Sequence, residues 1–114
     1  MKDFLPAVPT EQLLERSFAK LIKENTGKGP KYTEVKMVEG IIVCYFEEYL
    51  TRAEELIIKS GQPDKIIEFR SRYVTQCIGE IEIILDAIVK RKIKHFFPSW
   101  IPESNLACWT IFLD

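Results

Sequence analysis

Gly27-Lys28-Gly29-Pro30-Lys31 is the stretch that decides how this chain is divided. Glycine closes a helix at positive φ and proline cannot continue one, so the segment reads as a helix end followed by a turn into extended chain. Upstream, after Thr10 and Glu11, Leu14, Phe18, Leu21 and Ile22 recur at helical steps and predict a first helix ending near Asn25 to Gly27. Downstream, Tyr32 to Val38 carries Val35 and Met37 at alternate positions, Glu39-Gly40 makes a tight turn, and Ile41 to Tyr49 is β-branched and aromatic. A β-hairpin is expected. Its second strand is apolar on both faces, with Ile41, Val43 and Tyr45 on one and Ile42, Cys44 and Phe46 on the other, so it belongs in the middle of a sheet or beneath a partner.

Beyond the hairpin, Thr51 and Glu54 have the spacing of a capping box, in which each side chain satisfies the other's orphan N–H. A short helix follows to about Lys59 and stops at Ser60-Gly61, and Pro63 suits the first turn of the next. From Ile66 through Arg70, Val74, Cys77, Ile81, Leu85 and Ile88 one apolar stripe runs for more than six turns as a long core helix. Gly79 within it suggests close approach of another backbone. Lys90-Arg91-Lys92 falls at the last turn, where cations oppose the helix dipole. Ile93 to Phe97 reads as a strand, Pro98 to Asn105 as a loop, and Leu106 to Leu113 as a final strand. The fold class is therefore α+β: an N-terminal arm over residues 1–9, then one domain over 10–114 in the order α-β-β-α-α-β-β. Its four-stranded sheet is antiparallel or mixed, with the long helix on one face.

Composition bounds the function. The chain has 114 residues, 46% of them apolar, which is enough for one domain with a real core. Sixteen basic against 17 acidic residues leave a charge of −1, so no overall field draws it to nucleic acid or anionic membrane. No apolar run approaches the roughly 20 residues of a membrane helix, the N-terminus lacks a signal-peptide pattern, and a cytoplasmic location is expected. Cys44, Cys77 and Cys108 lie far apart within apolar patterns and read as buried hydrophobes in a reducing compartment.

Several residues carry potential chemistry. Gly27, Lys28, Gly29 and Lys31 could form a nest for an anion or a partner, although the segment follows a helix and enters a strand, the reverse of the known phosphate loops. Arg70 stands within the apolar stripe and needs a partner: Glu54 or Glu55, helix-end carbonyls near residue 60, or a bound anion. His95 is the only histidine and has no triad or metal set around it; Glu47, Glu48, Glu54 and Glu55 show no convergence on a cation. No cofactor or metal is expected, and no catalytic set can be assembled.

The order helix, Gly-Lys-Gly-Pro, hairpin, Tyr49-Leu50-Thr51-Arg52-Ala53-Glu54, then Arg70 on an amphipathic helix, resembles the bacterial MpsC domain family over about residues 10–114. Where the family often has a second arginine, this chain has Ile78. The resemblance implies a small component acting with a Na+-translocating system of membrane potential or inorganic carbon supply, and no established catalytic residues. The leading expectation is thus a non-enzymatic cytoplasmic accessory or regulatory module, homodimeric, with a membrane transport component as partner. The alternative is a small anion- or RNA-binding domain using Lys28, Lys31, Arg70 and the cluster from Lys90 to Lys94, which near-neutral charge weakens.

Overall fold

Residues 8–114 are described by a computed structural model. The arm expected over residues 1–9 falls, up to residue 7, outside the described residues. The elements run α1 (Thr10–Thr26), β1 (Tyr32–Val38), β2 (Ile41–Glu47), α2 (Arg52–Lys59), α3 (Pro63–Gln76), α4 (Ile78–Ile88), β3 (Ile93–Ile101), a 3-10 turn (Pro102–Ser104) and β4 (Leu106–Leu113). The strands form one sheet in the order β1-β2-β4-β3, antiparallel throughout. Two hairpins are therefore joined through their second strands, β2 and β4, at the centre.

The pleat gives the sheet two unlike faces. Val35, Ile42, Cys44, Phe46, Trp109 and Ile111 point to the helices and are buried. Trp109 is the hub: the rings of Phe18, Phe46 and Phe96 meet it edge-on at centroid distances of 5.6, 4.8 and 5.7 Å. Such pairs add about 0.5–1.5 kcal/mol each beyond the area they bury. The opposite face has no helix over it among the described residues.

The stripe from Ile66 to Leu85 is continuous, but the helix beneath it is not. At Cys77 the backbone turns to φ −100° and ψ 13°, and its N–H is shared between Tyr73 O (3.0 Å) and Val74 O (3.2 Å). The one expected helix is therefore two, α3 and α4. β-Branched Val74, Thr75 and Ile78 next to Gly79 make this the weakest helical stretch, and the break lets α3 follow β3 while α4 lies along α1. Gly79 does not mark a close approach: nothing among the described residues lies within 4 Å of where its Cβ would stand. The basic run also shifts. α4 ends at Ile88, Lys90 sits at φ 57°, and residues 90–92 form the connection rather than the last turn.

β3 continues through Pro98 to Ile101, where a loop was expected. Proline interrupts a central strand but is tolerated on an edge, and β3 is one. Asp114 N–H bonds Lys92 O, and Leu113 N–H bonds Gly40 O, which fixes the alternation along β4. By that alternation Phe96, Pro98 and Trp100 turn their backbone groups outward, so the free edge lacks a donor at its middle. The other edge is closed differently. Val35 N–H donates to Glu15 Oε2 (2.9 Å) and Met37 N–H to Glu11 Oε2 (2.8 Å). Residues four apart on a helix advance about 6 Å. Those two apart on a strand advance about 6.7 Å. The two carboxylates of α1 thus match successive outward N–H groups of β1.

Candidate functional site at the hairpin, helix and strand junction

Gly27 closes α1 at φ 86° and its N–H returns to Lys23 O at 2.8 Å. The Thr26 hydroxyl lies 2.8 Å from Ile22 O and 3.0 Å from Lys28 O, which ties the loop to the helix end. A Cβ at Gly29 would stand 3.4 Å from Lys23 Cβ, so the loop presses against α1. Lys31 N–H then donates to Glu47 O and the chain enters β1. Both lysines turn to one residue. The Lys28 ammonium donates to Glu48 O, and Lys31 Nζ lies 3.4 Å from a Glu48 carboxylate oxygen, an exposed pair. The Gly27 and Lys31 amides and both lysines are thus engaged with the chain itself. Glu48 lies at φ 53°, past the end of β2, so strand alternation does not govern it.

Asn105 holds the far side of the junction. It sits at φ 56° and its side-chain oxygen accepts from Tyr49 N–H (2.9 Å) and Leu50 N–H (3.1 Å). Its own carbonyl accepts from Glu48 N–H at 2.9 Å. These bonds deliver the chain to Thr51, the N-cap of α2, where the capping box is complete: Thr51 N–H donates to Glu54 Oε1 (2.9 Å) and Glu54 N–H to Thr51 Oγ1 (3.3 Å).

Glu54 has a second task. Arg70, 1% exposed, donates from Nε to Glu54 Oε2 (2.8 Å) and from Nη2 to Oε1 (2.6 Å), a two-pronged fork, and Nη2 also reaches Tyr49 O at 3.2 Å. The guanidinium carbon lies 5.0 Å from the Tyr49 ring centre and 5.9 Å from that of Tyr73. Burial alone would raise the Glu54 carboxyl, but the Arg70 hydrogen bonds and the Thr51 N–H outweigh it and hold the group below its ordinary value. Burial pushes the Tyr49 hydroxyl up to about 12 against the pull of the Arg70 charge. Such a pair adds little over an apolar replacement, yet losing one member costs roughly 3–5 kcal/mol, because the other charge is stranded.

Above this pair lies a groove of about 470 Å³ between the end of α1, α2 and α3. Thr51, Glu54 and Arg70 form its polar floor, and Ile57, Lys65 and Phe69 its largely apolar wall. Leu56, Ile57, Ile67 and Phe69 are exposed on the two helices, Phe69 by 54%.

The other sequence candidates do not join this site. By register, Tyr32, Glu47, Leu106 and Ile101 share one end of the sheet, and Val38, Ile41, Phe112 and His95 the other. Lys28 and Lys31 therefore lie at the opposite end from the cluster of Lys90 to Lys94, and Arg70 is sealed inside, so the basic residues make no common surface. His95 is exposed on the uncovered sheet face against Phe97 and Phe112. Cys44 and Cys77 are buried and Cys108 half-buried. Among the described residues no group of three or more His, Cys, Asp or Glu could hold a metal ion. Asn105 was not singled out from the sequence, and Glu48 was weighed there only as one of four carboxylates that show no convergence on a cation; asparagine's tolerance of the left-handed region, just before a strand, is the signal that marks Asn105.

Fold and junction define a small two-layer α+β domain whose buried ion pair, Arg70 with Glu54, is matched internally, while the buried Tyr49 and Tyr73 hydroxyls beside it have no hydrogen-bond partner among the described residues. Over residues 9–114 the chain matches the MpsC family, described as a Na+-translocating membrane potential-generating system, and it belongs to that family. Neither a curated protein nor a solved structure matches it.

Proposed function

We propose that the chain is a non-catalytic accessory or regulatory module, dimeric and cytoplasmic, that works by contact with a membrane component of a Na+-linked membrane-potential system. The family description supplies the direction. The observation that carries the reading is a contrast within the junction: its charged groups are spent on each other, whereas its outer helices expose Leu56, Ile57, Ile67 and Phe69. A surface of that kind is suited to docking. Among the described residues no helix is long and apolar enough to cross a membrane, so the membrane function falls to a partner.

The test is complementation. Cells lacking the chain should lose part of their Na+-dependent membrane potential and regain it with the wild type, but not with Phe69→Glu or Leu56→Lys proteins that melt like the wild type. An unchanged potential in the deletion, or full rescue by both variants, would overturn the proposal.

A further inference from the structure

The uncovered face of the sheet is built mostly of apolar side chains. Val38, Ile41, Val43, Tyr45, Phe112, Phe97 and Ile101 lie on it, with Val38 65%, Phe97 56% and Ile101 53% exposed. We propose that this face is the homodimer interface, packed sheet to sheet against the same face of a second copy about a twofold axis that runs along the strands. The inference rests on the dimeric part of the function proposed above and assigns it a surface.

Four features favour a second copy. Area is the first: four strands of about eight residues cover on the order of 500 Å² in plan. Their standing side chains raise the accessible area toward the roughly 800 Å² that each partner of a standard interface buries. Charge is the second. The charged residues of the face, Glu34, Lys36 and Glu47, all lie on β1 and β2 and are already matched: Lys36 Nζ is 3.4 Å from Glu34, Tyr45 OH donates to Glu47 at 2.6 Å, and Tyr32 OH to Glu34 at 3.2 Å. A twofold along the strands lays Glu34 and Lys36 over the uncharged Ser99 and Phe97 of the partner's β3, and Glu47 over Leu106 of its β4, so no like charges meet.

Relief is the third. Phe97 and Val38 protrude, and a hollow of about 100 Å³ opens between Tyr45, Ser99, Ile101 and Cys108, relief that a covering partner has to match. The fourth is the state of the edges. Glu11 and Glu15 occupy two outward N–H groups of β1, those of Val35 and Met37, and Pro98 interrupts β3, so a sheet continued across two chains is disfavoured and face packing is left.

Sedimentation velocity of the full chain tests this, with Val43→Lys, Phe97→Lys and a control, Ile83→Lys, on the helical side, where Ile83 is 70% exposed. The wild type and the control should sediment at twice the chain mass. Val43→Lys and Phe97→Lys should give the monomer mass with unchanged far-UV circular dichroism and a dissociation constant raised at least tenfold. Should either variant unfold, Thr110→Arg on the same face replaces it. A monomeric wild type overturns both this assignment and the dimeric reading. A dimer indifferent to every face variant overturns the assignment alone, and a wild type that is monomeric until a different protein is added counts against a second copy as occupant.

Discussion

The two faces of one sheet both carry large apolar side chains and meet different fates. Cys44, Phe46, Trp109 and Ile111 are closed over by α1, α3 and α4, while their strand neighbours Val43, Tyr45, Thr110 and Phe112 look out from the other side. Periodicity along β2 shows apolar residues on both faces and is blind to what covers the second. One face is completed within the chain; no helix covers the other among the described residues.

Truncation on the two faces sharpens that contrast most. Trp109→Ala removes the ring that three aromatic residues pack against and should cost roughly 3–5 kcal/mol at every protein concentration. Phe97→Ala, in urea melts dilute enough to hold the monomer, should change stability by less than about 0.5 kcal/mol. Equal losses at both sites in dilute solution would erase the distinction.

The same comparison extends to polar groups, since the Arg70–Glu54 pair is buried and Lys31–Glu48 is exposed. Glu54→Leu should destabilise the fold by roughly 3–5 kcal/mol by stranding Arg70, with Arg70→Met added in the double variant recovering most of the loss. Glu48→Leu should cost no more than about 1 kcal/mol. Equilibrium urea unfolding measures all three. Because the folded carboxyl of Glu54 lies below its unfolded value near 4.3, its contribution is complete above that pH and fades as pH falls through the lower folded value. Acid titration of stability should therefore be flatter in Glu54→Gln than in the wild type, and parallel curves would contradict the linkage.

A smaller effect separates the two edges. Glu15→Ala uncovers the Val35 N–H and should cost about 1 kcal/mol by thermal melting. Pro98→Ala supplies the missing donor on β3 and should leave the melt unchanged while raising the tendency of the chain to self-pair at high concentration, followed by light scattering.

Much of this architecture is written in short-range signals. Gly27, the Thr51–Glu54 box, the Glu39-Gly40 turn and the pairing need of Arg70 each follow from local chemistry and stand where that chemistry puts them. Three features depend on tertiary context instead. The stripe from Ile66 to Leu85 keeps its period through Cys77, so periodicity conceals the break between α3 and α4. Pro98 reads as a strand end because proline usually is one, and only the position of β3 at an edge reverses that. Asn105 acts on Tyr49 and Leu50, more than 50 residues away in sequence, through a contact that no local pattern contains.

Cys108 lies on the uncovered face between its register partners Tyr45 and Ser99, and Cys44 and Cys77 lie inside the core, so thiol alkylation reports the two faces in one unmodified chain. If a second copy covers that face, alkylation of Cys108 should slow at least tenfold as protein concentration is raised through the dimer range, with Cys44 and Cys77 unreactive throughout. A Cys108 rate independent of concentration would contradict the account.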